Sequence, residues 1–155
     1  KDHNLFRTNR MKISVKRLSP TAIIPTKSHP TDAGYDLYAD ENVELSPGET
    51  RLIKTGVAIA VPKGMVGLLW DRSSLGSQGY HLHGGVIDHG YTGDVSVALC
   101  NTNISGHPSL PKKNIKAGDR IAQIIFQDAK HFELEETQEL DETGRSKSGF
   151  GSSGR

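Results

Sequence analysis

An aspartate stands three residues before a tyrosine in Gly85-Val86-Ile87-Asp88-His89-Gly90-Tyr91-Thr92-Gly93-Asp94, where an apolar pair gives way to a turn. A carboxylate so placed suits a general base that takes a proton from a water held in front of it. The aromatic offers a flat apolar face. The same pair also suits a plain turn, with Asp88 capping its own backbone and Tyr91 half-buried beside it. A second polar island, Asp71-Arg72-Ser73-Ser74-Leu75-Gly76-Ser77-Gln78-Gly79, combines a planar fork of donors with hydroxyls at a possible helix start. That combination suits an anion, or equally an ordinary N-cap beside a surface arginine. It lacks the Gly-Lys-Ser/Thr ending of a phosphate-binding P-loop.

Three further places carry chemistry. Asp32 and Asp36 lie four apart and would share a face on a strand, where carboxylates gather Mg²⁺; turn caps are the other reading. Gln123 is the one polar residue in the run Ile121 to Phe126. If buried, it needs hydrogen-bond partners; otherwise it faces out or serves a ligand or water. The end of the chain, Arg145 to Arg155, is too rich in Gly and Ser to form a core and on composition alone reads as a disordered end. It nevertheless holds Arg145 for phosphate oxygens and Phe150 for stacking on a flat ring, and its glycines allow close wrapping. Taken together, the islands suit a nucleoside triphosphate hydrolysis site. His81 and His83 would face the same way on a strand, but nothing beside them completes a zinc tetrahedron.

The elements that position these residues are short strands punctuated by Pro/Gly turns. Strands are predicted over Met11 to Lys16, around Asp32 to Ala39, at Val43 to Leu45, through Arg51 to Pro62, and over Met65 to Trp70. Others follow at Val95 to Cys100, near Ile115 to Ala117, over Ile121 to Phe126, and at His131 to Glu135. Asp88 and Tyr91 are expected on a tight hairpin with a strand on each side. No segment has a long 3.6-residue apolar period, which favours an all-β sandwich or barrel.

Composition sets outer bounds. With 155 residues the chain suits one domain with a real core. Residues 1–10 read as a leader or extension, 11–140 as the β domain, and 141–155 as a flexible C-terminal lid. Hydrophobic residues make up only 34%, low for a compact monomer, which points to polar loops or to partner subunits. The net charge of +1 gives no global field for nucleic acid. The single Cys100 excludes an intrachain disulfide framework and reads as a core thiol. No apolar run approaches membrane-spanning length and no apolar signal segment opens the chain, so an intracellular (cytoplasmic) protein is expected.

In order along the chain, the islands resemble the five short motifs of the trimeric dUTP diphosphatase (dUTPase) family. The first is Asp32 to Ala39, the second Arg72-Ser73-Ser74-Leu75-Gly76 and the third Gly85 to Gly93. The fourth is Gly118-Asp119-Arg120-Ile121-Ala122-Gln123 and the fifth Arg145 to Gly154, so the likeness covers Met11 to Arg155. It implies a distorted jelly-roll fold, a homotrimer with shared active sites, Mg²⁺, and hydrolysis of dUTP at its α-phosphorus. By that resemblance Asp88 is the general base, and Tyr91 lies under the deoxyribose and leaves no room for a 2′-hydroxyl. The backbone of Gly85, Val86 and Ile87 reads the uracil edge, and Asp36 holds Mg²⁺ through water. Arg72, Ser73, Ser74 and Gln123 serve phosphates and water. Arg145, Ser152 and Ser153 clamp the γ-phosphate, while Phe150 and Gly151 close over the base.

Two residues depart from that pattern. Ser74 stands where a glycine is usual, and Leu82 where an asparagine often precedes the third motif. The run Arg72 to Gly76 leans towards dCTP deaminases, which share the fold. Ala98 occupies the position of their deaminating glutamate and cannot shuttle protons. A deaminase-like or bifunctional nucleotide enzyme, or a nucleotide-dependent regulatory binding protein on the same fold, are the alternatives.

Overall fold

The computed structural model describes residues 11–103 and 112–142. Its strands are β1 (Ser14–Arg17), β2 (Tyr35–Tyr38), β3 (Val43–Leu45), β4 (Thr50–Ile53), β5 (Val57–Ala60) and β6 (Met65–Trp70). One short helix, α1 (Ser73–Gly76), follows, then β7 (Tyr80–Leu82), β8 (Val86–Ile87), β9 (Val97–Asn101), β10 (Lys113–Ile115) and β11 (Arg120–Asp128). All pairings among the described residues are antiparallel. A four-stranded sheet runs β2-β11-β6-β8 and a three-stranded sheet β4-β9-β7, with two-stranded ribbons β1-β5 and β3-β10.

A single core joins these sheets. Leu37, Leu69, Ile121 and Ile124 reach it from the four-stranded sheet, Ile53, Val97 and Leu99 from the three-stranded one, and Val57 and Ile59 from β5. Each such side chain contributes about 1.5–3 kcal/mol on burial. Cys100 is a buried free thiol, as its apolar neighbours imply.

The register of the four-stranded sheet builds the first part of the site. Gln123 on β11 is opposite Asp36 on β2 and Trp70 on β6. Directly opposed residues project from the same face of a sheet. Asp36, Gln123 and Trp70 therefore form one row, and Asp71 and Arg72 continue the chain from its end. A bulge between Arg120 and Ala122 lets both Ile121 and Ala122 bury before Gln123 turns to the opposite face.

Several expectations change. The Asp88 segment is not a hairpin with paired arms: β8 pairs with β6, while β9 pairs with β4 and β7. Val95 and Val97 are drawn into the core beside β4 and β5, so the loop bridges two sheets. Asp32 does not share a strand face with Asp36; it lies in a turn and accepts the His29 N–H at 2.8 Å. The first strand begins at Ser14 rather than Met11. His131 to Glu135 forms no strand, with Phe132 77% and Leu134 98% exposed. Alternation there finds no neighbouring backbone to pair with among the described residues.

Candidate active site

Two clefts carry the sequence-predicted residues. The first, of about 270 Å³, is lined by Asp36, Arg72, Ser73 and Gln123, together with Ser28 and Asp32. Arg72 is held at its base: Nε donates to Asp36 Oδ1 at 2.9 Å, and Nη1 to the Arg120 carbonyl at 3.3 Å and to Ser74 Oγ at 3.4 Å. The ion pair is largely sheltered, with the Asp36 side chain 14% and the Arg72 side chain 22% exposed. A guanidinium fixed by its own carboxylate keeps a rigid donor fork without folding back on itself. Ser73 and Ser74 open α1, whose N-cap, Arg72, makes no side-chain capping bond. Leu75 buries and pins the turn, as the sequence suggests.

Gln123 resolves its two readings. Nε2 donates to the Asp71 carbonyl at 2.8 Å, so the side chain is not a solvated exception in a buried strand. Its carbonyl oxygen lies against Gly34, in space that a Cβ on that residue would need.

The second cleft, of about 320 Å³, is lined by Val86, Ile87, Asp88, Tyr91, Asp94 and Ser96, with Leu52 beside them. Its loop is tied down at several points. The Tyr91 N–H donates to the Asp88 carbonyl at 3.3 Å, and His89 Nδ1 bonds the Val61 carbonyl at 2.8 Å. The Tyr91 hydroxyl donates to the Asp94 carbonyl at 2.8 Å. The Asp94 carboxylate accepts the Gly56 N–H at 2.8 Å, the Thr55 N–H at 3.3 Å and Ser96 Oγ–H at 2.9 Å. Asp88 itself is exposed at the lip. Gly85 belongs to a neighbouring slot with Trp70, Asp71 and Leu82. With φ +132° it lies so close to β6 that a Cβ would meet Leu69 Cβ at 2.9 Å. Its carbonyl accepts the Leu69 N–H at 2.8 Å.

The structure thus gathers Asp36, Arg72, Ser73, Ser74 and Gln123 at one place and Val86, Ile87, Asp88 and Tyr91 at another. Arg145, Phe150, Gly151, Ser152 and Ser153 lie outside the described residues. Sequence reasoning missed the contributions of Arg120, Ser28, Asp71, Asp94 and Gly34. Asp71 opens the second polar island and Arg120 lies in the fourth motif, but neither carries a role of its own in the sequence, and Ser28 carries no local signal.

The first cleft fits a magnesium ion in its donor chemistry. Its lining offers oxygens from two carboxylates, two hydroxyls and an amide, the hard donors that Mg²⁺ prefers. Asp36 Oδ2 is only loosely engaged, 3.4 Å from both Ser28 Oγ and Arg120 Nη1. Among the described residues no three His, Cys, Asp or Glu side chains form a metal cage. One or two carboxylates suffice for an ion that keeps its waters and arrives with phosphates. No described helix is long and apolar enough to cross a membrane.

An antiparallel β fold with an arginine-serine cleft and a separate carboxylate loop is of a class that can hold a polyanionic ligand beside a carboxylate. More particularly, the chain belongs to the dUTPase family, whose family model matches residues 21–154. It is 43% identical over 150 residues to the deoxyuridine 5′-triphosphate nucleotidohydrolase of Mycobacterium tuberculosis (strain ATCC 25618 / H37Rv), spanning 92% of this chain and 94% of that one. Identity to the enzyme of the same name from Nocardia farcinica is 41% over 145 residues, spanning 92% and 85%. The fold matches the Staphylococcus bacteriophage 80alpha dUTPase solved with dUPNHPP at a TM-score of 0.86 and 34% identity, over 93% of this chain and 99% of that one. A mutant dUTPase of phage phi11 of S. aureus, described for its coordination of a structural Mg(II) ion, matches at a TM-score of 0.77 and 31% identity, over 85% and 100%.

Proposed function

We propose that this chain hydrolyses dUTP to dUMP and pyrophosphate, with Asp88 as general base and Arg72, Ser73 and Gln123 serving the phosphates and the attacking water. Asp88 takes a proton from water, whose oxygen attacks the α-phosphorus. The bond to the oxygen bridging the α- and β-phosphorus breaks, and pyrophosphate leaves. Charge builds on that bridge, where Ser73 donates, while the Arg72 fork binds phosphate oxygens. One observation carries this reading: Asp36, Arg72, Ser73 and Gln123, from three separate motifs, converge on one cleft.

Particular contacts support particular roles. Gln123 has its Nε2 engaged by Asp71, so the oxygen is the end left to accept a hydrogen bond from water. Tyr91 is held by its hydroxyl, so its ring is a fixed wall that suits exclusion of a 2′-hydroxyl. The Gly85, Val86 and Ile87 backbone serves the uracil edge. Asp36, with Asp32 in the same cleft, would hold Mg²⁺, and the ion would neutralise phosphate charge. Ser74 steadies Arg72 beside the phosphates. In the C-terminal segment, Arg145, Ser152 and Ser153 are assigned to the γ-phosphate, and Phe150 and Gly151 to the cover over the base.

The active enzyme is a homotrimer with active sites shared between subunits. The lining of the Asp88 cleft and that of the Arg72 cleft have no residue in common. Exposed Leu52, Trp70 and Val86 leave apolar surface available for subunit contact. The test is to supply dUTP, dCTP, dTTP and UTP with Mg²⁺ and measure pyrophosphate and deaminated product. Pyrophosphate from dUTP alone is expected. Deamination of dCTP, or intact dUTP, would overturn the assignment.

A further inference from the structure

We infer that Asp71, paired with His81, is a positioning residue for the hydrolytic site, holding Gln123 and Arg72 in register. The inference rests on the roles assigned above to those two side chains. Asp71 follows the last residue of β6 and precedes Arg72, and all three of its oxygens are engaged. Its carbonyl accepts Gln123 Nε2 at 2.8 Å, Oδ1 accepts the Leu82 N–H at 2.7 Å, and Oδ2 bonds His81 Nδ1 at 2.9 Å.

The Leu82 bond follows from strand geometry. Among the described residues β7 is an edge strand, bonded to β9 alone. The His83 N–H donates inward to the Ala98 carbonyl at 2.9 Å. Successive backbone N–H groups of a strand point opposite ways, so the Leu82 N–H faces the open edge. Asp71 satisfies that edge amide and ties the end of β6 to the other sheet. Two donors, one on each oxygen, require a side chain with two acceptors, and a carboxylate makes the stronger charge-assisted bonds.

Slack at this point would reach the cleft by two routes. Gln123 would shift with the carbonyl it is bonded to. Arg72, one residue on, would lose the backbone direction that carries it to Asp36, 2.9 Å away. The Asp71 and His81 side chains are 35% and 47% exposed, and a polar side-chain pair that open adds little to stability. Their loss should therefore be felt in geometry rather than in folding.

The experiment measures kcat and KM for dUTP, and the thermal midpoint, in Asp71→Ala, Asp71→Asn, His81→Ala and the Asp71→Ala/His81→Ala double variant. Asp71→Ala is expected to lower kcat about tenfold with KM changed less than about twofold, because a small displacement of reacting groups costs rate. Asp71→Asn keeps an acceptor for the Leu82 N–H and should recover most of that rate. His81→Ala should lose less, and nothing further in the Asp71→Ala background. Wild-type kcat in Asp71→Ala overturns the inference, as does a rate loss that merely tracks the thermal midpoint and is not rescued by Asn. If Asp71→Ala does not fold, His81→Ala decides: a lowered kcat at unchanged KM supports the pair, and an unchanged kcat overturns it. Gln123→Leu separates the levels. Full turnover in that variant overturns the underlying role of Gln123, and this inference with it. A crippled Gln123→Leu beside an unimpaired Asp71→Ala overturns the present inference alone.

Discussion

Gln123 and Gly34 share one space: the side-chain oxygen of Gln123 occupies the position a Cβ at residue 34 would need, and its Cβ stands 3.2 Å from that position. The first motif therefore needs a glycine there because the fourth motif sends an amide across it. Gly34→Ala should displace Gln123 from the Asp71 carbonyl. We expect a stability loss of about 1–3 kcal/mol from overpacking, read by urea denaturation. A kcat loss of about tenfold is expected beside it, since the oxygen proposed to hold the attacking water moves. Unchanged kcat in a folded Gly34→Ala would show that the amide does not act from this position.

Asp88→Asn keeps the shape of the side chain and removes its capacity to take a proton. Turnover should fall by about 10²–10⁴-fold. Affinity for a non-hydrolysable dUTP analogue, measured by calorimetry, should stay within a few-fold of the parent. Loss of binding in step with turnover would count against the general-base role.

A mixing experiment tests the proposed sharing of sites between subunits. Asp88→Ala and Arg72→Ala subunits are each expected to be inactive alone. Unfolded together in equal amounts and refolded, they should form mixed trimers. If each site draws Asp88 and Arg72 from different subunits, about a quarter of the sites recover both. Activity near that fraction of the parent's is expected. An inactive mixture would place both residues in a site made by one chain.

Removing Arg145 to Arg155 should depress turnover strongly, about tenfold or more, because this segment is assigned to the γ-phosphate and the base. The thermal midpoint should hold, since the fully buried core residues Leu37, Ile53, Leu99 and Ile124 come from β2, β4, β9 and β11, all outside the removed segment. Full turnover in the truncated chain would rule out the closing role.

Local residue order was enough to predict the parts whose forces are local. The strand at Met65 to Trp70 lies between a Pro62-Lys63-Gly64 turn and a polar island, and it forms over those residues. The helix start at Ser73 and the break at Asp88 also appear where turn chemistry puts them. Ordered motifs carried the family and, with it, the chemistry. Alternation alone misled at His131 to Glu135, because a strand needs a neighbour as well as a pattern. Pairing across the chain belonged to the folded state. Asp36 meets Arg72 across 36 positions, and Gln123 meets Asp71 across 52. The Asp88 loop bridges two sheets because Ile87 pairs beside Gly67 while Val97 pairs beside Ile53. Such partners are selected by the burial of a common core, a property of the whole chain that no short window of residues contains.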